Sequence, residues 1–120
     1  MKNPAKIATA LIAILLPVAA HAHAFLDHAS PRVGSTVAIA PRELLLWFTE
    51  KLEPAFSTVE VHNEQGVAVQ SGKARVDGGD GTELRVSLRA LPPGTYQVIW
   101  RVLSVDTHRT QGSFSFHVGP

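Results

Sequence analysis

Sulfur is almost absent from this chain of 120 residues. There is no cysteine, and the single methionine is Met1. Without disulfides the fold depends on burying apolar side chains, which a single domain of this size can do. Thiolate and thioether sulfur are the ligands that soft metal ions prefer. A metal site in the body of this protein would therefore use nitrogen and oxygen donors.

The chain also lacks a strong excess of either charge. It has 11 Lys and Arg against 10 Asp and Glu. Nucleic-acid binders and polybasic membrane binders carry a clear basic excess, so neither class is indicated. We expect no nucleic-acid partner.

Only one long apolar run is present, at residues 7–20 (IATALIAILLPVAA). It is shorter than the roughly 20 apolar residues that a membrane-spanning helix needs. Lys2 and Lys6 precede it, and it ends in Ala20-His21-Ala22, an A-x-A cleavage pattern. We predict a secretory signal peptide at residues 1–22 and a single exported domain at residues 23–120. Cleavage after residues 18–20 (VAA) is the alternative, and it would leave His21 first.

The rest of the chain has an apolar period of two, which is typical of strands with one buried face. Alternation is clear at residues 57–62, 83–88 and 113–118, where the inward positions are valine, leucine and phenylalanine. Residues 44–48 and 96–103 are apolar at nearly every position, which predicts central strands. Dense glycine and proline between these runs indicates turns. We predict an all-β fold, a Greek-key β-barrel or immunoglobulin-like β-sandwich of about seven or more antiparallel strands.

Five histidines follow the predicted cleavage site. They are His23, His28, His62, His108 and His117. His62 and His117 fall on the polar phase of their strands, where a solvated side chain is expected. His28 lies in a stretch, residues 27–31 (DHASP), that is interpreted as a turn, and it stays a secondary candidate ligand.

Asp106 and His108 form an Asp-x-His pair after an apolar strand. If this segment is extended, the two side chains point to the same side. Cleavage after Ala22 would give His23 a free α-amine, which together with its Nδ1 forms a chelate ring. A ring nitrogen of His108 would be the third nitrogen ligand, and Asp106 would supply a carboxylate oxygen. Three nitrogens and one oxygen favour a tetragonal Cu(II) ion, one per chain. Zinc is the chief competitor.

Seven stretches of the sequence resemble the CopC family of periplasmic copper-resistance proteins. In chain order they are residues 23–26 (HAFL), 30–35 (SPRVGS), 48–50 (FTE), 56–61 (FSTVEV), 91–96 (LPPGTY), 100–108 (WRVLSVDTH) and 112–116 (GSFSF). The resemblance implies a Greek-key fold and Cu(II) ligands at His23, Asp106 and His108. It also implies that Glu50 lies near the metal, as an outer ligand or as a hydrogen-bond partner of a ligand. A solvated carboxylate at the end of its strand is the alternative for Glu50.

Two features depart from the family pattern. Members commonly have Gly and Pro where this chain has Thr107 and Arg109, and some have a methionine-rich cuprous site that this chain lacks. The resemblance implies a periplasmic location and a partner in the inner membrane, a copper transporter of the CopD type. We predict a monomeric protein that sequesters copper or delivers it to this partner, and that is not an enzyme.

Two other functions are compatible with the residues. An N-terminal histidine brace is also the site of copper-dependent oxidative enzymes, but Asp106 would fill a position that oxygen chemistry needs open. In a metal-free immunoglobulin-like interaction module, His23 would have no role.

Overall fold

The computed structural model describes residues 24–120, which form eight β-strands. In chain order these are β1 (Leu26–Ser30), β2 (Thr36–Val37), β3 (Glu43–Phe48), β4 (Thr58–His62), β5 (Gln70–Asp77), β6 (Glu83–Leu88), β7 (Gly94–Leu103) and β8 (Arg109–Val118). A single 3-10 turn, Pro54–Phe56, is the only helical element in this part of the chain. Within residues 24–120, no helix has the length and apolar character that crossing a bilayer demands.

The strands make two four-stranded sheets that pack face to face. One sheet has the order β1-β3-β6-β5 and the other the order β2-β8-β7-β4. Neighbours are antiparallel except β2 and β8, a parallel pair of two residues. The predicted all-β fold is confirmed, and the short parallel pair is the one departure from a fully antiparallel arrangement.

The core lies between the inner faces of the two sheets. Its fully buried side chains include Leu44, Leu46, Leu84, Val98 and Phe116. They occur at every second position because successive side chains of a strand point to opposite faces. The inward positions predicted for β4, β6 and β8 are confirmed.

Strands β3 and β7 are interior strands of their sheets, as the sequence predicts. Their outer faces are more polar than expected for fully buried strands. Gln97 and Arg101 of β7 are exposed, and Leu45 and Trp47 of β3 are only half-buried. Each sheet therefore has one face in contact with water, as is common in antiparallel sandwiches.

The turn predicted around His28 is wrong. Residues 26–30 form β1, which pairs with β3. The ring of His28 stacks on Trp47 with centroids 4.3 Å apart. This cross-strand contact, which local sequence does not reveal, favours the extended backbone.

The first described residues tie the two sheets together at one end of the sandwich. Ala24 is fully buried, and its carbonyl accepts a hydrogen bond from Thr110 Oγ1 of β8 at 2.7 Å. The Phe25 amide donates to Thr49 Oγ1, and the Thr49 amide donates to the Phe25 carbonyl, each at 2.9 Å. Thr49 directly follows β3, so this short segment is fixed to both sheets.

Candidate metal centre

Asp106 and His108 lie in the tight turn that joins β7 to β8. Asp106 Oδ1 and His108 Nδ1 are 3.3 Å apart, and the two side chains are 41% and 45% exposed. The Thr107 amide donates to the Ser104 carbonyl at 2.9 Å, and the Ser104 amide donates to the His108 carbonyl at 3.0 Å. The two candidate metal ligands, Asp106 and His108, are therefore close together and open to solvent.

Asp106 and His108 lie close together, as the sequence predicts, but the predicted reason, an extended segment, is wrong. Asp106 is in a turn and not in an extended strand. Thr107 has φ of 73°, in the left-handed region that non-glycine residues seldom adopt. The reversal of the chain at Thr107, and not the period of a strand, brings Asp106 and His108 together.

The Asp106 carboxylate is held by hydrogen bonds from its own turn. Ser104 is fully buried, and its hydroxyl donates to Asp106 Oδ1. This bond is the main reason that the pKa of Asp106 lies below its ordinary value, and the neighbouring His108 lowers the pKa further. A low pKa keeps the carboxylate ionised, which metal ligation requires.

The segment after β3 runs beside this turn. The Val105 amide donates to the Lys51 carbonyl at 3.0 Å, and the Glu53 amide donates to the Leu103 carbonyl at 2.8 Å. Glu50 comes immediately before these contacts. Within residues 24–120, however, no three His, Asp or Glu side chains converge as a metal-holding group. The role of Glu50 beside the metal therefore stays a prediction.

The other described histidines each bond to a polar side chain close by. The pairs are His28 Nδ1 with Asp27 at 2.7 Å, His62 Nε2 with Glu60 at 3.0 Å, and His117 Nδ1 with Thr95 at 2.9 Å. None of these pairs joins the turn between β7 and β8 in a three-residue cluster. His62 and His117 occupy the outer face of their sheet, as predicted.

The donor set of this turn fits Cu(II) or Zn(II) and does not fit a soft ion. It offers one carboxylate oxygen and one imidazole nitrogen, with no sulfur in reach because the chain has none beyond Met1. Two side chains do not complete a coordination shell, so a further donor is needed. The predicted donor, His23, lies outside the described residues, as does the predicted signal peptide at residues 1–22.

Sequence reasoning missed Ser104. Its signal was modest: a small polar residue at the end of an apolar strand, two positions before an aspartate. Serine at such a position is as readily solvated as buried, and only the structure shows its hydroxyl turned inward onto Asp106.

Comparisons with known proteins agree on one family. The CopC domain model matches residues 26–119. Protein YobA of Escherichia coli strain K12 is 37% identical over 98 residues, covering 81% of this chain and 79% of YobA. Copper resistance protein C of Xanthomonas campestris pv. juglandis is 36% identical over 121 residues, covering 93% of this chain and 94% of that protein.

A solved structure supports the same assignment. The crystal structure of CopC from Methylosinus trichosporium OB3b superposes with a TM-score of 0.76 at 35% identity, covering 82% of this chain and 95% of that one. The resemblance to CopC is thereby confirmed, and so is the prediction that the protein is not an enzyme, because the family consists of copper-binding resistance proteins. This chain belongs to the CopC family.

Proposed function

We propose that the exported protein binds one Cu(II) ion through His23, Asp106 and His108, and that it sequesters copper in the periplasm or delivers it to a membrane transporter of the CopD type. The observation that carries this proposal is the Asp106–His108 pair, 3.3 Å apart and open to solvent. The pair lies at the end of the sandwich where the chain enters the fold.

The position of Ala24 supports the third ligand. Its carbonyl is bonded to Thr110, which is two residues beyond His108. His23 is joined to Ala24 by one peptide bond, and consecutive Cα atoms are about 3.8 Å apart. After cleavage at Ala22, the α-amine and imidazole of His23 would both be available near this end of the fold.

The chemistry of the donors supports Cu(II) over Cu(I). Imidazole, amine and carboxylate suit the divalent ion, whereas the monovalent ion prefers sulfur, which residues 23–120 lack. A carboxylate also adds negative charge, which stabilises the dipositive ion more than the monopositive one. Cu(II) stands above Zn(II) in the divalent affinity series, which favours copper at this site.

Exposure of the ligands supports storage and transfer over redox chemistry. Asp106 and His108 are 41% and 45% exposed, so an accepting protein has access to the ion without unfolding the turn. The negative charge of Asp106 opposes reduction, and its oxygen fills a position that an oxidative enzyme would leave open. We propose that the protein acts as a monomer.

The role of the N-terminal amine is tested by adding one residue in front of it. One extra glycine before His23 converts the amine into an amide while every side chain survives. We expect the extended protein to bind Cu(II) at least about tenfold more weakly, because an amide nitrogen is a far poorer donor. Affinity is measured by competition against a cupric chelator.

The matched control is His62→Ala, which removes an imidazole from the outer face of β4 and is expected to leave the affinity unchanged. Equal affinities of the native and glycine-extended proteins, together with an unchanged electron paramagnetic resonance spectrum of the bound Cu(II), would show that the amine of His23 is not a ligand. A changed spectrum would instead indicate a new site formed by the added glycine.

A further inference from the structure

Ser104 is the most completely buried polar residue beside the candidate metal centre. Its side chain has no exposed surface, although it lies next to a turn whose other residues are exposed. Burying a hydroxyl is unfavourable unless it is hydrogen-bonded. The hydroxyl of Ser104 donates to Asp106 Oδ1, and it also lies 3.3 Å from the His108 carbonyl oxygen.

The backbone of Ser104 closes the same turn from both sides. Its amide donates to the His108 carbonyl at 3.0 Å, and its carbonyl accepts from the Thr107 amide at 2.9 Å. Ser104 also pairs with Leu52, a buried residue of the segment after β3, in an isolated antiparallel β-bridge. One buried residue thus connects the rigid end of β7 to both exposed donor residues.

A carboxylate side chain on an exposed turn can rotate about two torsions, and fixing it when metal binds costs conformational entropy. A hydrogen bond from a buried, immobile donor fixes that rotation beforehand. Outer groups that orient metal ligands are worth about 10–100-fold in metal affinity. Ser104 meets these requirements for Asp106.

We propose that Ser104 is a positioning residue, which holds the Asp106 carboxylate ready to bind the divalent ion while not touching the ion itself. This inference rests on the proposed function, since it concerns the ligand Asp106.

The test is a double-mutant cycle with Ser104→Ala, Asp106→Asn and the combined variant, each titrated with Cu(II) against a cupric chelator. We expect Ser104→Ala to weaken binding about tenfold when Asp106 is present, and by less than about twofold when residue 106 is asparagine. The electron paramagnetic resonance spectrum of Cu(II) bound to Ser104→Ala should move towards that of Asp106→Asn.

The control is Ser57→Ala. Ser57, which directly precedes β4, is also a buried serine, but its hydroxyl accepts a hydrogen bond from the amide of Leu103, the last residue of β7, at 3.2 Å and does not touch Asp106. We expect Ser57→Ala to change stability without changing the copper spectrum. Urea denaturation of every variant separates loss of folding from loss of affinity.

If Ser104→Ala does not fold, Ser104→Thr and Ser104→Val replace it, because they have nearly the same shape and differ in the hydroxyl. The threonine variant should bind Cu(II) at least about fivefold more tightly than the valine variant. The role of Ser104 would be overturned if the threonine and valine variants bind Cu(II) equally well. It would also be overturned if Ser104→Ala lowers the Cu(II) affinity by the same factor with aspartate and with asparagine at position 106. Failure of the native protein to bind Cu(II) would instead overturn the proposed function.

Discussion

Asp106 is held as an anion by its own turn. The hydrogen bond from Ser104, followed by the influence of His108, lowers the pKa of Asp106 from its ordinary 3.8. A carboxyl whose pKa is lower in the folded state stabilises the fold above its unfolded pKa. That contribution disappears as the pH falls through the lower, folded value. Between pH 5 and pH 8 the Asp106 carboxylate is therefore fully charged.

This charge state makes a prediction for Asp106→Asn. We expect the variant to bind Cu(II) at least about tenfold more weakly, and by the same factor at pH 5 and at pH 8. The affinities of both proteins should fall towards pH 5, since protons compete for imidazole and amine nitrogens. Chelator competition at both pH values measures the ratio. A ratio that shrinks towards one at pH 5 would show that Asp106 takes up a proton in this range.

Thr107 has an unusual backbone conformation for its residue type. Its φ of 73° is one that glycine adopts without strain and a side chain with Cβ does not. The turn that brings Asp106 and His108 together is therefore formed at a cost in this chain.

Replacing Thr107 by glycine and by alanine separates backbone strain from the loss of the hydroxyl. We expect Thr107→Gly to have a free energy of unfolding about 1 kcal/mol higher than Thr107→Ala. Urea denaturation gives both values. Thr58 lies in the extended strand β4, and there we expect the alanine variant to have a higher free energy of unfolding than the glycine variant. If alanine is the better residue at position 107 as well, the turn is not strained.

At the scale of elements, the strands that the sequence predicted are those with a regular inward apolar phase. Residues such as Val59, Val86 and Phe116 repeat every second position and face the core. Strand β5, Gln70–Asp77, was missed because it is a polar edge strand in which only Ala74 and Val76 pack partly against the core. An edge strand contributes little to burial, so it leaves little hydrophobic pattern in the sequence.

The ring of Trp100 in β7 lies over Gly112, its partner residue in β8. A Cβ on Gly112 would lie 2.5 Å from Trp100 Cζ2 and 2.8 Å from Trp100 Cε2. The Trp100 ring also makes an edge-on contact with Phe48 of the opposite sheet, with centroids 5.1 Å apart. The ring therefore has little freedom to move away.

We predict that Gly112→Ala lowers the free energy of unfolding by about 1–3 kcal/mol, because the added methyl overpacks the core against Trp100. Thermal or urea denaturation measures the change. Gly79→Ala is the matched control, since nothing lies within 4 Å of a Cβ at Gly79. Equal stability of Gly112→Ala and the native protein would mean that the ring has room to shift.

At the scale of the whole molecule, the sequence predicted the sandwich and the Asp-x-His pair, but not the way the pair is assembled. Apolar alternation is a local signal, so it carries the fold class. The turn depends on the left-handed backbone at Thr107 and on the buried hydroxyl of Ser104, which arise from tertiary packing. The role of Glu50 beside the metal, which the family resemblance implies, stays a prediction.

The start of the described chain, the end of β3 and the beginning of β8 meet at one end of the sandwich. Ala24 is bonded to β8 through Thr110, and Phe25 is bonded to Thr49 after β3. The turn containing Asp106 connects β7 to β8 at this end. A ligand supplied by the start of the mature chain would then meet Asp106 and His108 only when the sandwich is folded, which couples the complete copper site to folding.

We propose that the exported chain begins at His23 and binds a single Cu(II) ion. The intact mass of the exported protein, measured under non-denaturing conditions before and after addition of one equivalent of Cu(II), tests both statements at once. We expect the mass of residues 23–120 alone and, after addition, the same mass increased by one copper ion. A chain that begins at His21, or a mass that Cu(II) leaves unchanged, would contradict it.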